Sequence, residues 1–548
     1  MTAPDKLRQS KFGIGSGAGP HLRSSAVRAR KTQVEDEWSR DDDTTPAAGD
    51  AALDLARLDN RAIASTKISP RRNMPAIRTA NELPLRSVLA KRERSWPFAD
   101  RQIRPHTTTT RTIMPDRIIF DGLNLALEEG TGVATYARML TQVARDLGYN
   151  VGVVYGSPQA PSRNPVLREI AFFDEKRAIK KWLPVEILNS IADQVRYYLP
   201  VRPTTVDLSG VVITRHFDDT LPVHDHIFVT RNLFGNAGRH FSLTNAFVEL
   251  AFDPRPDIFH CTYQLPLRSK SACNVYTIHD LVPLRLPFTT LDNKRWMFRL
   301  LKKITAKADH IVTVSENTKH DIIELLGVDE KRITNTYQAV SFPKEDIERS
   351  EAVIGEQLAG SFGLEIYEYL LFFGALEPKK NVGRLIEAYM ASGVDLPLVL
   401  VAGEGWHNQS ETMLLEELRE NEPGPTGPKR RVRRFRYVRP STLITLIRGA
   451  RAVVFPSLYE GFGLPVLEAM TLGTPVVTSR ESSLPEIAGD ATLLVDPYDA
   501  DDIARAITTI VNDADLRAEL SRRGRLQAAK FSVERYRERV EALYASLR

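Results

Sequence analysis

From Arg117 onward, short apolar runs alternate with longer stretches in which apolar residues recur every three or four positions. RIIFD, VGVVYG, HIFVT, DIFHC, NVYTIHD and HIVTVS are brief and rich in β-branched or aromatic residues, a pattern that predicts buried strands. TGVATYARMLTQVARDLGY places Val133, Tyr136, Ala137, Leu140 and Val143 at helical spacing, and Gly148 supplies the stop. A second series, YLLFFGAL, LPLVLVAG, RRFRYV, AVVFPS, TPVVTS and ATLLVDP, repeats the alternation. Parallel sheets covered on both faces produce this rhythm. Between the two series lies the polar stretch NTYQAVSFPKEDIERS, read as a hinge. The expected class is therefore α/β, with two doubly wound Rossmann-like domains, 114–342 and 343–525, facing a central cleft. Ligands are expected at the carboxyl ends of their strands.

Composition and charge narrow the picture. At 548 residues, with 42% apolar and 26% charged residues, the chain is too long for one core and has the make-up of a soluble globular protein. Residues 1–113 show no sustained period and are expected to be a disordered basic extension. Within them GIGSGAG has no strand before it and no helix after it, so it reads as linker. Order is expected to begin at Met114, a candidate native start. The net charge of +5 sits in that extension, which carries 21 Lys and Arg against 13 Asp and Glu. Residues 114–548 carry 53 against 56, which argues against a nucleic-acid partner. Cys261 and Cys273 are too few for a disulfide framework, no apolar run approaches the roughly 20 residues of a membrane helix, and the polar, charged first residues lack the apolar core expected of a secretory signal. A cytoplasmic chain is expected.

Three loops carry candidate chemistry. EEGTGVATYARML places Gly130 and Gly132 just before a helix, where a ligand can approach the backbone. FFGALEPKKNVGRLIEAY sets Glu377, Lys379, Lys380 and Asn381 ahead of a helix; cations beside its positive pole are mildly unfavourable unless an anion joins them, which points to phosphate. In YEGFGLPVLEAM, Pro465 predicts a helix start near Leu464, leaving the amides around Gly463 and Leu464 open to a phosphate. Glu468 then lies one turn on, about 5 Å along the axis, placed to accept two hydrogen bonds from a ribose diol. Glu460, across the glycines, would face the sugar. The D-x-D triplets at Asp499 and Asp513 fall near helix starts and read as caps, so no metal is expected.

The chain resembles the retaining nucleotide-sugar glycosyltransferases of family four, also called group one, which have the GT-B fold. The resemblance rests on GTGVATYARML, YTIHDLVPLRLP, VTVSENTKHDI, GALEPKKNVGRLIEAY, AGEGW, PSLYEGFGLPVLEAMTLGTPVVTS and SSLPEIAGDATLLVDP, in family order across about residues 115–510. It implies that Glu468 binds ribose, Glu460 contacts the transferred sugar, Lys380 with Lys379 neutralises the diphosphate, Gly132 approaches the phosphates and His279 sits beside the anomeric carbon. It also implies an acceptor-side first domain, a donor-binding second domain, and a C-terminal helix, 526–548, that packs back on the first. Two departures stand out: Ala375 replaces an arginine that many members carry, and Gln338, Ala339, Val340 replace Asn-Gly-Val. The expected activity is retaining, metal-independent transfer of a hexose, mannose by the SSLPEIAGDA string, to a glycan or polyprenyl-linked acceptor of cell-surface polysaccharide. GDP-mannose or another nucleotide sugar is the donor and no cofactor is expected. A sugar-nucleotide epimerase and a non-catalytic nucleotide-sugar-binding subunit are the alternatives. Two basic clusters, KRWMFRLLKKITAK and KRRVRRFRYV, raise peripheral contact with an anionic membrane at the inner face of the cell membrane.

Overall fold

The computed structural model describes residues 116–126, 132–158, 160–174, 194–213, 221–403, 413 and 431–548. The N-terminal extension with GIGSGAG and Met114, the loop residue Gly130, and Glu404 to Trp406 of AGEGW lie outside them.

The first domain is built on strands β1 (Arg117–Asp121), β2 (Asn150–Ser157), β3 (Thr204–Val206), β4 (His226–Arg231), β5 (Val248–Leu250), β6 (Ile258–Cys261), β7 (Leu267–Ser269), β8 (Cys273–Ile278), β9 (His310–Thr313) and β10 (Ile333–Asn335). Eight of them form a sheet in the order β10-β9-β8-β6-β1-β2-β4-β3, while β5 and β7 pair separately. The second domain carries β11 (Leu370–Phe373), β12 (Leu398–Val401), β13 (Val432–Phe435), β14 (Ala452–Phe455), β15 (Val476–Ser479) and β16 (Leu493–Val495), in the order β13-β12-β11-β14-β15-β16. Pairing is parallel throughout both sheets except between β3 and β4. Central strands such as β11, β12, β14 and β15 are buried at every position, which explains their unbroken apolar sequence.

The helices that matter for the site are α1 (Gly132–Asp146), α2 (Lys294–Lys307), α3 (Glu316–Leu326), α4 (Val382–Ser392), α5 (Leu464–Leu472), α6 (Leu484–Ala488), α7 (Ala500–Asn512), α8 (Ala514–Ala528) and α9 (Val533–Ser546). Helix α1 buries Tyr136, Ala137, Leu140 and Val143 as their spacing requires, whereas Val133, in the first turn, is only half-buried. Asp499 caps α7 by accepting from the amides of Asp501 and Asp502, and Asp513 caps α8 by accepting from that of Leu516. The chain from Thr336 to Pro343 has no regular structure and leads into a single turn, Lys344–Ile347.

Helix α9 ends the chain yet packs on the first domain. Its Tyr544 hydroxyl lies 2.8 Å from His260 Nδ1, the Tyr149 and Tyr544 rings meet edge to face at 5.5 Å, and Arg548 pairs with Asp116. No helix among the described residues is long and apolar enough to cross a membrane.

Candidate active site

Loops leaving the carboxyl ends of β11, β14 and β8 converge on one place. After β11 the chain makes a 3-10 turn, Pro378–Lys380, and Asn381 takes a left-handed conformation (φ 60°) before α4 begins. The Asn381 amide fixes this loop by donating to the carbonyls of Pro456 (3.1 Å) and Pro497 (2.7 Å). The Lys379 carbonyl accepts from the Leu458 amide at 2.7 Å, and the Ser457 hydroxyl oxygen lies 2.9 Å from it. The two lysines are thereby held against the loop that carries Glu460.

Lys380 Nζ donates to Glu460 Oε1 at 2.7 Å and lies 5.1 Å from the centre of the Phe455 ring; the Ser457 hydroxyl donates to the same carboxylate oxygen at 2.6 Å. Burial works against ionisation of Glu460, but the charges of Lys380 and Lys379 outweigh it and hold its carboxyl below the ordinary range. Lys379 is half-buried; desolvation lowers its pKa, but the surrounding acids, Asp280, Glu460, Glu377 and Asp292, outweigh that and raise it. Lys379 therefore stays charged without an exogenous anion.

Helix α5 begins at Leu464, where Pro465 predicted it, and no side chain caps it. Gly463 has φ 109°, which only glycine adopts readily, and a Cβ there would stand 2.8 Å from Leu484. A Cβ on Gly132, the first residue of α1, would stand 3.0 Å from Leu464 Cδ1, so the two helix starts face each other across the cleft. Glu468 is half-buried, with no side-chain hydrogen bond or ion pair among the described residues. Burial alone pushes its carboxyl up to about 7.

Gly461 plays a part that its sequence pattern did not disclose. A side chain there would run into the carbonyl of His279 and stand 3.0 Å from Asp280 Cβ. This glycine lets the second domain's loop lie against the first domain, so its absent Cβ serves contact between domains and not phosphate approach. His279 is buried, and burial lowers its pKa. Its Nε2 lies 2.9 Å from the Thr262 carbonyl, which can only accept, so Nε2 carries the proton and Nδ1 is left as an acceptor. Tyr136 packs edge-on to the His279 ring at 4.9 Å.

The structure thus joins Lys380 to Glu460 directly, sets Lys379 beside them in an ion pair with Glu377 at 3.8 Å, places Gly132 opposite Leu464, and brings the His279 backbone onto the glycine loop. Glu468 stands by itself one turn into α5. Sequence reading missed Ser457, three residues before the Glu460 it bonds, and Asp280 and Asp292, which no local pattern marks because each acts on Lys379, distant in the chain. It also missed a set of polar groups at the ends of adjacent first-domain strands. Among the described residues, Asn124 Nδ2, Tyr155 OH, Thr230 Oγ1 and Gln264 Oε1 are buried without hydrogen-bond partners. Burial raises the Asp121 carboxyl to about 6, and the Thr262 hydroxyl and amide and the Leu123 amide oppose the rise.

Chemically, two half-buried cations, an uncapped helix start and carboxylates on both sides can hold a phosphorylated, hydroxyl-rich ligand. Comparison with known proteins agrees. Residues 361–527 match the family described as Glycosyl transferases group 1, and residues 210–341 match Glycosyltransferase Family 4. O-antigen chain mannosyltransferase B of Escherichia coli is 36% identical over 288 residues, 52% of this chain and 72% of that protein. The chain belongs to the group 1 glycosyltransferases. The serotype-specific mannosyltransferase WbdA of E. coli is 30% identical over 316 residues, 55% of this chain but only 37% of its own length.

Among solved structures, the sucrose-phosphate synthase of Thermosynechococcus elongatus aligns with a TM-score of 0.54 at 18% identity, covering 79% of this chain and 99% of that one. Anabaena HepE, solved with UDP-glucose, aligns with a TM-score of 0.53 at 16% identity, covering 78% and 99%. These likenesses establish the GT-B fold for this glycosyltransferase.

Proposed function

We propose that this glycosyltransferase moves mannose from a nucleotide diphosphate sugar, GDP-mannose first among candidates, to a growing cell-surface polysaccharide, with retention of the anomeric configuration. The observation that carries the reading is the Lys380–Glu460 pair set beside an uncapped helix start and a second, half-buried lysine. Lys379 and Lys380 neutralise the leaving diphosphate together with the α5 amides, as preorganised charge aimed at a developing anion. This assigns no step to a metal. Glu468 accepts from the ribose hydroxyls, and Gly132 lets the phosphates approach the α1 start. Glu460 accepts from the sugar, and neutral His279 offers Nδ1 to it from the other face. The unpartnered groups of Asn124, Tyr155 and Gln264 face the acceptor. The leaving phosphate oxygen takes the acceptor's proton in a front-face displacement, because no second carboxylate is assigned as a nucleophile.

The named relative, an O-antigen chain mannosyltransferase, supports the choice of mannose and of a polysaccharide acceptor. NMR of the product made from GDP-α-mannose is the test. An α-mannosyl linkage is expected, and a β-linkage would overturn the retaining mechanism.

For a polyprenyl-linked acceptor, α2 supplies the membrane-facing surface. Its apolar face, Met297, Leu300, Leu301 and Ile304, is buried, its outer face carries Arg299 and Lys302, and Phe288 and Leu291 just before it are exposed. The second basic cluster is engaged otherwise, since Arg431, Arg433 and Arg434 donate to the carbonyls of Val394, Gly363 and Ala402. Flotation with anionic vesicles is expected to carry the protein upward, and no flotation would remove this surface from the account.

A further inference from the structure

Helix α3 belongs to the first domain, yet its opening is completed by the second. Its first amides, those of Glu316 and Asn317, donate to Glu486 Oε1 (3.0 Å) and Oε2 (3.3 Å), one to each oxygen of a carboxylate on α6. The third amide, Thr318, is satisfied within the domain by Ser315 Oγ at 3.0 Å. Every helix start leaves such amides unbonded, and a carboxylate there gains from the helix dipole as well. Without Glu486, two of these amides would turn to water.

The same turn of α3 touches both sides of the reaction site. The Asn317 side-chain amide donates to the Tyr459 hydroxyl at 3.1 Å, and that hydroxyl donates to Asp321, whose other oxygen accepts from Arg285 Nε at 2.7 Å. Thr318 Oγ1 donates to the His279 carbonyl at 3.1 Å and lies 3.4 Å from that of Gly461. Tyr459 and Gly461 flank Glu460 in the chain. One helical turn is therefore bonded to His279, to both neighbours of Glu460 and to Glu486. On its own side Glu486 is anchored by Gln527 of α8, whose amide donates to the Ile487 carbonyl at 3.1 Å.

We propose that Glu486 is a cross-domain positioning residue: by capping α3 it holds the domains closed and sets where His279 and Glu460 stand toward the donor. The proposal rests on the nucleotide-sugar reading for its effect on chemistry, but not for its effect on closure. The groups facing the Glu486 carboxyl fit a buried clasp. Burial raises it to about 7, the two α3 amides oppose that rise, the Glu316 carboxylate adds to it, and Tyr337 on the hinge also senses its charge.

The test compares Glu486→Ala and Glu486→Gln with wild type by two readouts. X-ray scattering of the ligand-free protein reports closure independently of any sugar nucleotide. Glu486→Ala is expected to enlarge the radius of gyration, and Glu486→Gln, which keeps one carbonyl acceptor, is expected to fall between. With GDP-mannose and an acceptor, Glu486→Ala is expected to lower kcat about five- to tenfold, the size of one lost helix cap, and to raise the fraction of donor lost to water. An unchanged scattering curve together with an unchanged ratio of hydrolysis to transfer would overturn the proposal. If wild type turns over no sugar nucleotide, the functional reading fails while the scattering comparison still decides the clasp.

Discussion

At the scale of single residues, the account turns on two carboxylates in opposite electrostatic settings. Glu460 is kept ionised by two lysines, so its role is set by charge already in place. Lys380→Met would remove the cation bonded to that buried carboxylate, leaving it only the charge of Lys379 and the Ser457 hydroxyl, and is expected to cost about 3 kcal/mol in urea unfolding. Adding Glu460→Gln should recover much of that stability without restoring activity. Glu468 differs, because its carboxyl sits near 7 with no partner. In the proposed site, ribose hydroxyls donate more strongly to the carboxylate than to the acid, so donor affinity should be highest above pH 7 and decline as pH falls below it. Calorimetric titration from pH 5.5 to 8.5 checks this, and Glu468→Gln should bind weakly with a flat profile. A carboxyl raised in the folded state lowers stability as pH rises through its pKa, so Glu468→Gln should also melt higher than wild type at pH 8. The sequence showed the spacing of these glutamates, and the structure shows their contrast. Lys380 and Glu460 are 80 residues apart, and no local pattern discloses that they pair.

At the scale of elements, the long signals were legible and the short ones were not. Buried parallel strands such as β11 and β14 announced themselves as unbroken apolar runs, and Pro465 marked the start of α5. Strands β3, β5 and β7 have three residues each, too few for any period to register, and the chain leaves β13 at Phe435, before the apolar Tyr437 and Val438. Gly461 was legible as a glycine but not as the contact point with His279, because the carbonyl that excludes a side chain comes from a distant strand end. Gly461→Ala is expected to push this loop from the His279–Asp280 backbone and lower kcat at least tenfold, with a smaller effect on donor affinity; steady-state kinetics and calorimetry separate the two. On α9, Tyr544→Phe would strip the partner from His260 Nδ1, in a pocket that already drives the His260 pKa down to about 3. Leaving a buried polar group unsatisfied costs about 1–3 kcal/mol, which denaturant unfolding can read.

At the scale of the molecule, the proposed reaction draws on both sheets. The second brings the lysines, the glutamates and an open helix start, and the first brings His279 and a row of unpartnered polar groups. They meet through α3, Gly461 and α9, so closure and chemistry share the same contacts. The central claim is that this cleft activates a nucleotide sugar. Hydrolysis of GDP-mannose without acceptor tests it most directly, because water then takes the acceptor's place and no knowledge of the natural acceptor is needed. Wild type is expected to release GDP and mannose slowly, while Glu460→Ala still binds the donor but releases neither. Absence of turnover by wild type with GDP-, UDP- and ADP-sugars alike, or undiminished turnover by Glu460→Ala, would contradict the account.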